Sequence, residues 1–228
     1  MNTKEIKFHN VMASTVKDMN TSLAMLLQSF EANGALMQRM SDEHKQSFSN
    51  MHYEVARLQN NLFHLHTLYR IEYERLPVVH DEHFVYEFLE EQVLSVNGLF
   101  VLGDVGVTID CPQDLSAYFD MELVSSIIIT ALVNASRYTK DQVIIKATAH
   151  DDGLLIQIDD NSNGFPARLL EKFIEGKQDK EEEINDQGLG WLYCNEIAKS
   201  HKNRGRTGFV ALSNDSVIKG SRFEVWLP

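Results

Sequence analysis

The chain has 228 residues, enough for one large domain or two small ones. Its 33 acidic and 21 basic residues give a formal charge of −12, which disfavours a nucleic-acid surface because phosphate contacts need clustered Lys and Arg. At 43% hydrophobic the chain can build a packed core, yet no apolar run approaches the roughly 20 residues of a membrane span. The opening stretch MNTKEIKFHN lacks the apolar segment of a secretory signal, and two cysteines, Cys111 and Cys194, make no disulfide framework, so a reducing cytoplasm is expected.

The first third is patterned as helix. Pro is absent before Pro77, and Phe8, Met12, Val16, Met19, Leu23, Leu26 and Phe30 recur in steps of four and three, one stripe on a helix. A second stripe runs through Phe48, Met51, Val55, Leu58, Leu62 and Leu65. Ala32-Asn33-Gly34 between them can close a helical hairpin, or Gly34 can sit inside one longer, bent helix. Two narrow stripes do not bury both helices, so the hairpin is expected to double by two-fold symmetry into a four-helix bundle; packing on the rest of the same chain is the alternative.

After Pro77-Val78-Val79 the pattern changes. Strands are expected at 105–109, 142–146, 154–158 and 222–227, mostly in hairpins, and helices at 84–96, 122–136, 167–173 and 189–201. The fold class is therefore α+β: a helical hairpin over residues 1–80, then an α/β sandwich over 81–228 with one face of a sheet covered by helices. The acid-rich run Glu171 to Asp186, with seven acids and three lysines, reads as a solvated loop.

Several residues in the second domain suit ligand chemistry. Asn134 on the inner face of a helix can hold Mg²⁺ through its carbonyl oxygen, and Arg137 and Tyr138 follow one turn on, the arginine suited to a phosphate. Asp160, in Asp159-Asp160-Asn161-Ser162-Asn163-Gly164-Phe165-Pro166, can accept from the exocyclic amine of a base, while Gly164 lets backbone approach closely. Gly188 and Gly190 open a helix whose first amides can face phosphate.

In order and spacing, these segments resemble the ATP-binding domain of sensor histidine kinases, within the ATPase superfamily shared with gyrase and the Hsp90 chaperones. Asn134-Ala-Ser-Arg-Tyr-Thr resembles the N-box, Asp160-Asn-Ser-Asn-Gly-Phe-Pro the first glycine box and Gln187-Gly-Leu-Gly-Trp the second, with Asp120 at the family's helix-opening acid. Residues 11–23, with Arg57-Leu58 and Leu68-Tyr-Arg-Ile-Glu72, resemble the dimerisation and phosphotransfer hairpin of the same enzymes. The resemblance implies ATP and Mg²⁺ as ligands, a homodimer, a response-regulator receiver domain as partner, and a cognate sensor kinase as a further one.

The sequence departs from the family at telling positions. Lys17 stands where the phospho-accepting His belongs. A neutral imidazole is a nucleophile near pH 7, whereas on the order of one lysine amine in a thousand is unprotonated there, so autophosphorylation at Lys17 is not expected. Asp18 and Thr21 remain, and in the family that acid and Thr support phosphotransfer and removal of phosphate from the receiver. Thr130 replaces the first Asn of the N-box, Ser162 the first glycine of its box, and Asp186 the glycine leading the second box, which weakens the expected handling of phosphate and Mg²⁺.

The expected function is that of a histidine-kinase-like protein without autokinase activity that binds a response regulator and dephosphorylates or modulates it. The alternatives are a non-catalytic protein that pairs with a kinase or sequesters a regulator, and a kinase or phosphotransferase using a displaced His such as His9. His52, His64 and His66 are expected to pack in or beside the bundle rather than bind metal, and Cys194 to be a small buried apolar group.

Overall fold

The computed structural model describes residues 3–33, 41–74, 77–174 and 186–228. The chain divides into two compact units, Met1–Leu76 and Pro77–Pro228.

The first unit is a pair of long helices, α1 (Thr3–Ala32) and α2 (Asp42–Glu74), packed against each other. The α1 terminus is closed by Asn33, whose N–H bonds the Phe30 carbonyl and whose side-chain amide bonds that of Ser29. Gly34 lies outside the described residues. Phe30 packs edge-on to Phe48 at 4.7 Å and stacks on His52 at 5.3 Å, which fixes the two helices near this end.

From Val16 onward in the first stripe, and throughout the second, the apolar positions split into two sets of seven-residue spacing. Val16, Leu23 and Phe30 on α1, with Phe48, Val55 and Leu62 on α2, are buried or half-buried. The interleaved Met19, Leu26, Met51, Leu58 and Leu65 each stay 49–53% exposed. Among the described stripe residues, the hairpin therefore covers about half of the apolar pattern. His52, His64 and Thr67 are buried in the same unit.

The second unit is a two-layer sandwich. A short antiparallel pair, β1 (Asp81–Phe84) with β3 (Ser116–Phe119), flanks it. The helix α3 (Val85–Gly103) follows β1, and β2 (Gly106–Asp110) leads to β3 and then α4 (Met121–Tyr138). A hairpin of β4 (Gln142–His150) and β5 (Gly153–Asp160) comes next, followed by α5 (Ala167–Ile174) and α6 (Asp186–Ser200). The small ribbon β6 (Lys202–Asn203) and β7 (Arg206–Thr207) precedes β8 (Phe209–Ser213) and β9 (Arg222–Leu227). The main sheet has the order β2-β4-β5-β9-β8.

Alternation builds the core. Ile109, Ile145, Ile158, Phe223 and Leu212 lie side by side in register across all five strands. With Val143, Ala147, Ile156, Val225 and Leu227 they form a buried face, while Lys146, Gln157 and Glu224 on the opposite face keep contact with water. Leu123, Val124, Ile127, Ile128, Ala131 and Leu132 bury one side of α4 almost completely.

Three features differ from the expected pattern. The β2–β4 pair is parallel rather than a hairpin, because β3 and α4 intervene and carry the chain back across. The β1–β3 pair, the β6–β7 ribbon and β8 lie outside the expected strands. The first of these exposes Glu82, Phe84, Ser116 and Tyr118 on one side, too mixed to show an apolar period. The helix expected at 84–96 runs on to Gly103.

Burial pushes the His64 imidazole from the ordinary 6.5 down to about 3. Between those values the unfolded chain binds a proton there that the folded chain does not, so stability falls as pH drops through this window. Urea unfolding at fixed protein concentration is expected to show a wild-type loss approaching about 1.4 kcal/mol per pH unit below pH 6.5, beyond that of His64→Leu.

Candidate functional site

Strand periodicity places the first site residue. Ile156, Ile158 and Asp160 share the helix-covered face of β5, so Asp160 sits at the end of an apolar row, opposite Val143. Asp159 points the other way, to its register partner Arg222, and the two form a nearly buried fork with bonds of 2.9 and 3.1 Å. This pairing raises the guanidinium pKa of Arg222 further.

A buried carboxylate must be satisfied. Asp160 accepts from the Ser162 N–H at 2.8 Å, from the Ser221 N–H at 3.1 Å and from the Ser221 hydroxyl. The turn that follows curls on itself: the Gly164 N–H donates to Ser162 Oγ at 3.0 Å, and Gly164 has φ +85°. A Cβ on Gly164 would lie 2.8 Å from the side chain of Asn214, so both conformation and space call for glycine. Ser162, in place of a glycine, thus serves as a donor and acceptor within the turn.

On the facing helix, α4 begins at Asp120, whose Oδ1 caps it by accepting from the Leu123 N–H at 3.1 Å. Asp120 is also a joint. Its Oδ2 accepts from the Val79 N–H at 2.9 Å, and its own N–H donates to His201 Nε2 at 3.2 Å. His201 is fully buried at the end of α6, and burial holds its imidazole below the ordinary histidine range. Its role is structural, as a polar bolt between α4 and α6.

About four turns further along α4, Asn134 Nδ2 donates to the Thr130 carbonyl at 2.8 Å, so its carbonyl oxygen is the group it offers outward. Thr130 itself is buried, with its hydroxyl on the Ser126 carbonyl at 2.6 Å. The Cys194 thiol, fully buried beside Thr130, is pushed up to about 12 and is a packing residue.

Between α4 and the Asp160 turn lies a cavity of about 190 Å³. Asn134 and Tyr138 from α4, Asp160, Ser162 and Gly164 from the turn, and Ser221 from β9's approach all line it. One wall is aromatic: Trp191 stacks on Phe223 at 5.3 Å and meets Phe165 edge-on at 5.6 Å. Among the described residues lining the cavity, Asp160 is the one carboxylate. The cavity thus pairs an aromatic wall with a buried carboxylate, a combination that suits a heteroaromatic ring with an exocyclic amine.

The structure brings together Asn134, Tyr138, Asp160 and Gly164. Arg137 is exposed, with its guanidinium 5.8 Å over the Tyr138 ring, and does not line the cavity. Gly188 and Gly190 lie inside the first turns of α6, and Gly190 does not line it. The acid-rich run expected as a solvated loop falls mostly on residues 175–185, outside the described residues. In the first unit, Lys17, Asp18 and Thr21 are exposed on α1, and the Thr21 hydroxyl donates to the Lys17 carbonyl at 3.0 Å. His9 lies within α1, its side chain outside the described residues. Phe165, Trp191, Phe223 and Ser221 complete the cavity and were not picked out as site residues; an aromatic beside a glycine box is the one hint the sequence holds.

Comparison with known proteins agrees with this architecture. Residues 120–228 match the family described as histidine kinase-, DNA gyrase B- and HSP90-like ATPases. The adaptive-response sensory kinase SasA of Gloeothece citriformis is 30% identical over 126 residues, covering 52% of this chain and 30% of the relative. The sensor protein PhoQ of Escherichia coli O157:H7 is 23% identical over 143 residues, covering 63% and 28%. The chain thus spans under a third of the length of these two relatives. In fold, the chain is similar to the Acinetobacter baumannii histidine kinase AdeS, with a TM-score of 0.59 at 16% identity over 91% of this chain and 95% of that one. It is also similar to the nucleotide-free catalytic domain of histidine kinase ThkA, with a TM-score of 0.55 at 16% identity over 65% and 95%. The C-terminal unit has the histidine-kinase-like ATPase fold. Among the described residues no helix is long and apolar enough to cross a membrane.

Gly164→Ala is expected to cost at least about 1 kcal/mol in urea unfolding, because alanine disfavours positive φ and its Cβ meets Asn214.

Proposed function

We propose that the chain is a two-component signalling protein that binds an adenine nucleotide in the α4–β5 cavity and acts on a response regulator without autophosphorylating. The observation that carries the nucleotide part is the convergence of Asp160, Asn134 and the aromatic wall on one cavity. Asp160 uses three donors of its own chain and keeps acceptor capacity for an exocyclic amine, since a carboxylate offers about four lone-pair sites.

Mg²⁺ fits the donor set through the Asn134 carbonyl oxygen, a hard ligand suited to that ion. When bound, it would offset charge on the nucleotide phosphates. Arg137 would serve phosphates from the rim, and the amides near Gly188 and Gly190 would do so from the start of α6.

The half-covered heptad pattern of α1 and α2 supports a homodimer, in which Met19, Leu26, Met51, Leu58 and Leu65 meet a second copy in a four-helix bundle. A receiver domain would dock on that bundle near Asp18 and Thr21. The Thr21 hydroxyl hydrogen is engaged with the Lys17 carbonyl, so its oxygen lone pairs are what it presents to solvent. They suit holding a water by its hydrogen. The water oxygen would attack the phosphorus of the receiver's aspartyl phosphate, the bond from phosphorus to the carboxylate oxygen would break, and inorganic phosphate would leave. Lys17 takes no covalent part. A purely binding role, pairing with a kinase or sequestering a regulator, is the second reading; the exposure of Asp18 and Thr21 on a regular helix face is compatible with it.

Calorimetry with Mg-ATP is expected to show binding that Asp160→Asn weakens at least about tenfold. Incubation with a phosphorylated cognate receiver is expected to release phosphate faster than the receiver alone, with the gain lost in Thr21→Ala. An unchanged rate in that variant leaves the binding role in possession.

A further inference from the structure

The turn that carries Asp160 and Gly164 is gripped from outside by the loop between β8 and β9. Asn214, the first residue after β8, makes two bonds to Phe165: its Oδ1 accepts from the Phe165 N–H at 2.7 Å, and its Nδ2 donates to the Phe165 carbonyl at 3.1 Å. The side-chain amide thus pairs with one residue's backbone as a neighbouring strand would. Further along the loop, the Ser216 hydroxyl donates to the Asp160 carbonyl at 2.9 Å. Gly220 passes so close that a Cβ would fall 2.2 Å from that same oxygen and 2.5 Å from the Ser162 nitrogen.

The grip falls where the turn needs it. Gly164, at φ +85°, is the most permissive link of the turn, and glycine alone does not hold one backbone state. Phe165 comes next, and its ring, set against Trp191, forms part of the cavity wall. With both polar backbone groups of Phe165 fixed, the peptide after Gly164 has one orientation. Asn214 is itself exposed and does not line the cavity.

We propose that Asn214 is a positioning residue for nucleotide recognition, holding Gly164–Phe165 in the shape that receives the ligand. The proposal rests on the adenine-nucleotide assignment of the cavity. Without the clamp the turn populates other conformations, and apparent affinity falls by the fraction that remains competent. The loss then appears in association, because the competent state makes the same contacts once formed.

The test uses the full chain, Mg-ATP as probe, and stopped-flow association and dissociation for wild type, Asn214→Ala and Asn214→Asp. Asn214→Ala is expected to slow association about tenfold with dissociation unchanged. Asn214→Asp, which keeps the acceptor for the Phe165 N–H and lacks the donor, is expected to fall between the two. If wild type binds and Asn214→Ala matches it, or loses affinity wholly through faster dissociation, Asn214 does not position the turn while the nucleotide assignment stands. If wild type binds no nucleotide, the assignment and the role of Asn214 fall together. Exposure of the side chain makes folding of both variants the expected outcome, checked by an unchanged unfolding transition.

Discussion

The second unit is organised around the need to satisfy one buried carboxylate. Strand alternation forces Asp160 onto the apolar face, where an unpaired charge would cost several kcal/mol. Its solution draws in Ser162 from the turn just after it and Ser221 from the entry to β9. The same bonds that lower this cost curl the turn, close one end of the sheet and shape the cavity floor. A ligand that brings a further donor to Asp160 completes a set of bonds that the protein has mostly assembled already.

The opposite wall is set by helix packing rather than by polar satisfaction. Asp120 fixes where α4 starts, and eighteen residues of regular helix then determine where Asn134 and Tyr138 arrive. Because Asp120 also meets Val79 and His201, the start of this unit, the origin of α4 and the end of α6 share one polar joint. The backbone of residue 79 is thus bonded directly to the residue that caps the helix carrying Asn134.

Much of this was legible in the sequence, for physical reasons that differ by element. The strands β4, β5 and β9 announce themselves by alternation, which survives in the residues Val143 to Ala147, Leu154 to Ile158 and Phe223 to Val225. The direction of β2 is not written in its residues; it depends on what lies between it and β4. Asn134, Asp160 and Gly164 were legible because their chemistry needs particular side chains at particular steps. The aromatic wall was not, since Phe165, Trp191 and Phe223 look like ordinary core residues until the fold brings them to one cavity. Arg137 shows the converse: the right residue type one turn from Asn134, yet directed to the Tyr138 ring. Asn214 carries no sequence signal, because its partners lie forty-nine residues away.

The splitting of the heptads in the first unit has a thermodynamic corollary. A hairpin that covers only Val16, Leu23 and Phe30 with Phe48, Val55 and Leu62 retains a modest share of its apolar burial as a single chain. If its other set, Met19 to Leu65, is closed by a second copy, folding of this unit obeys mass action. Dilution alone would then loosen helices whose every intrachain contact is intact.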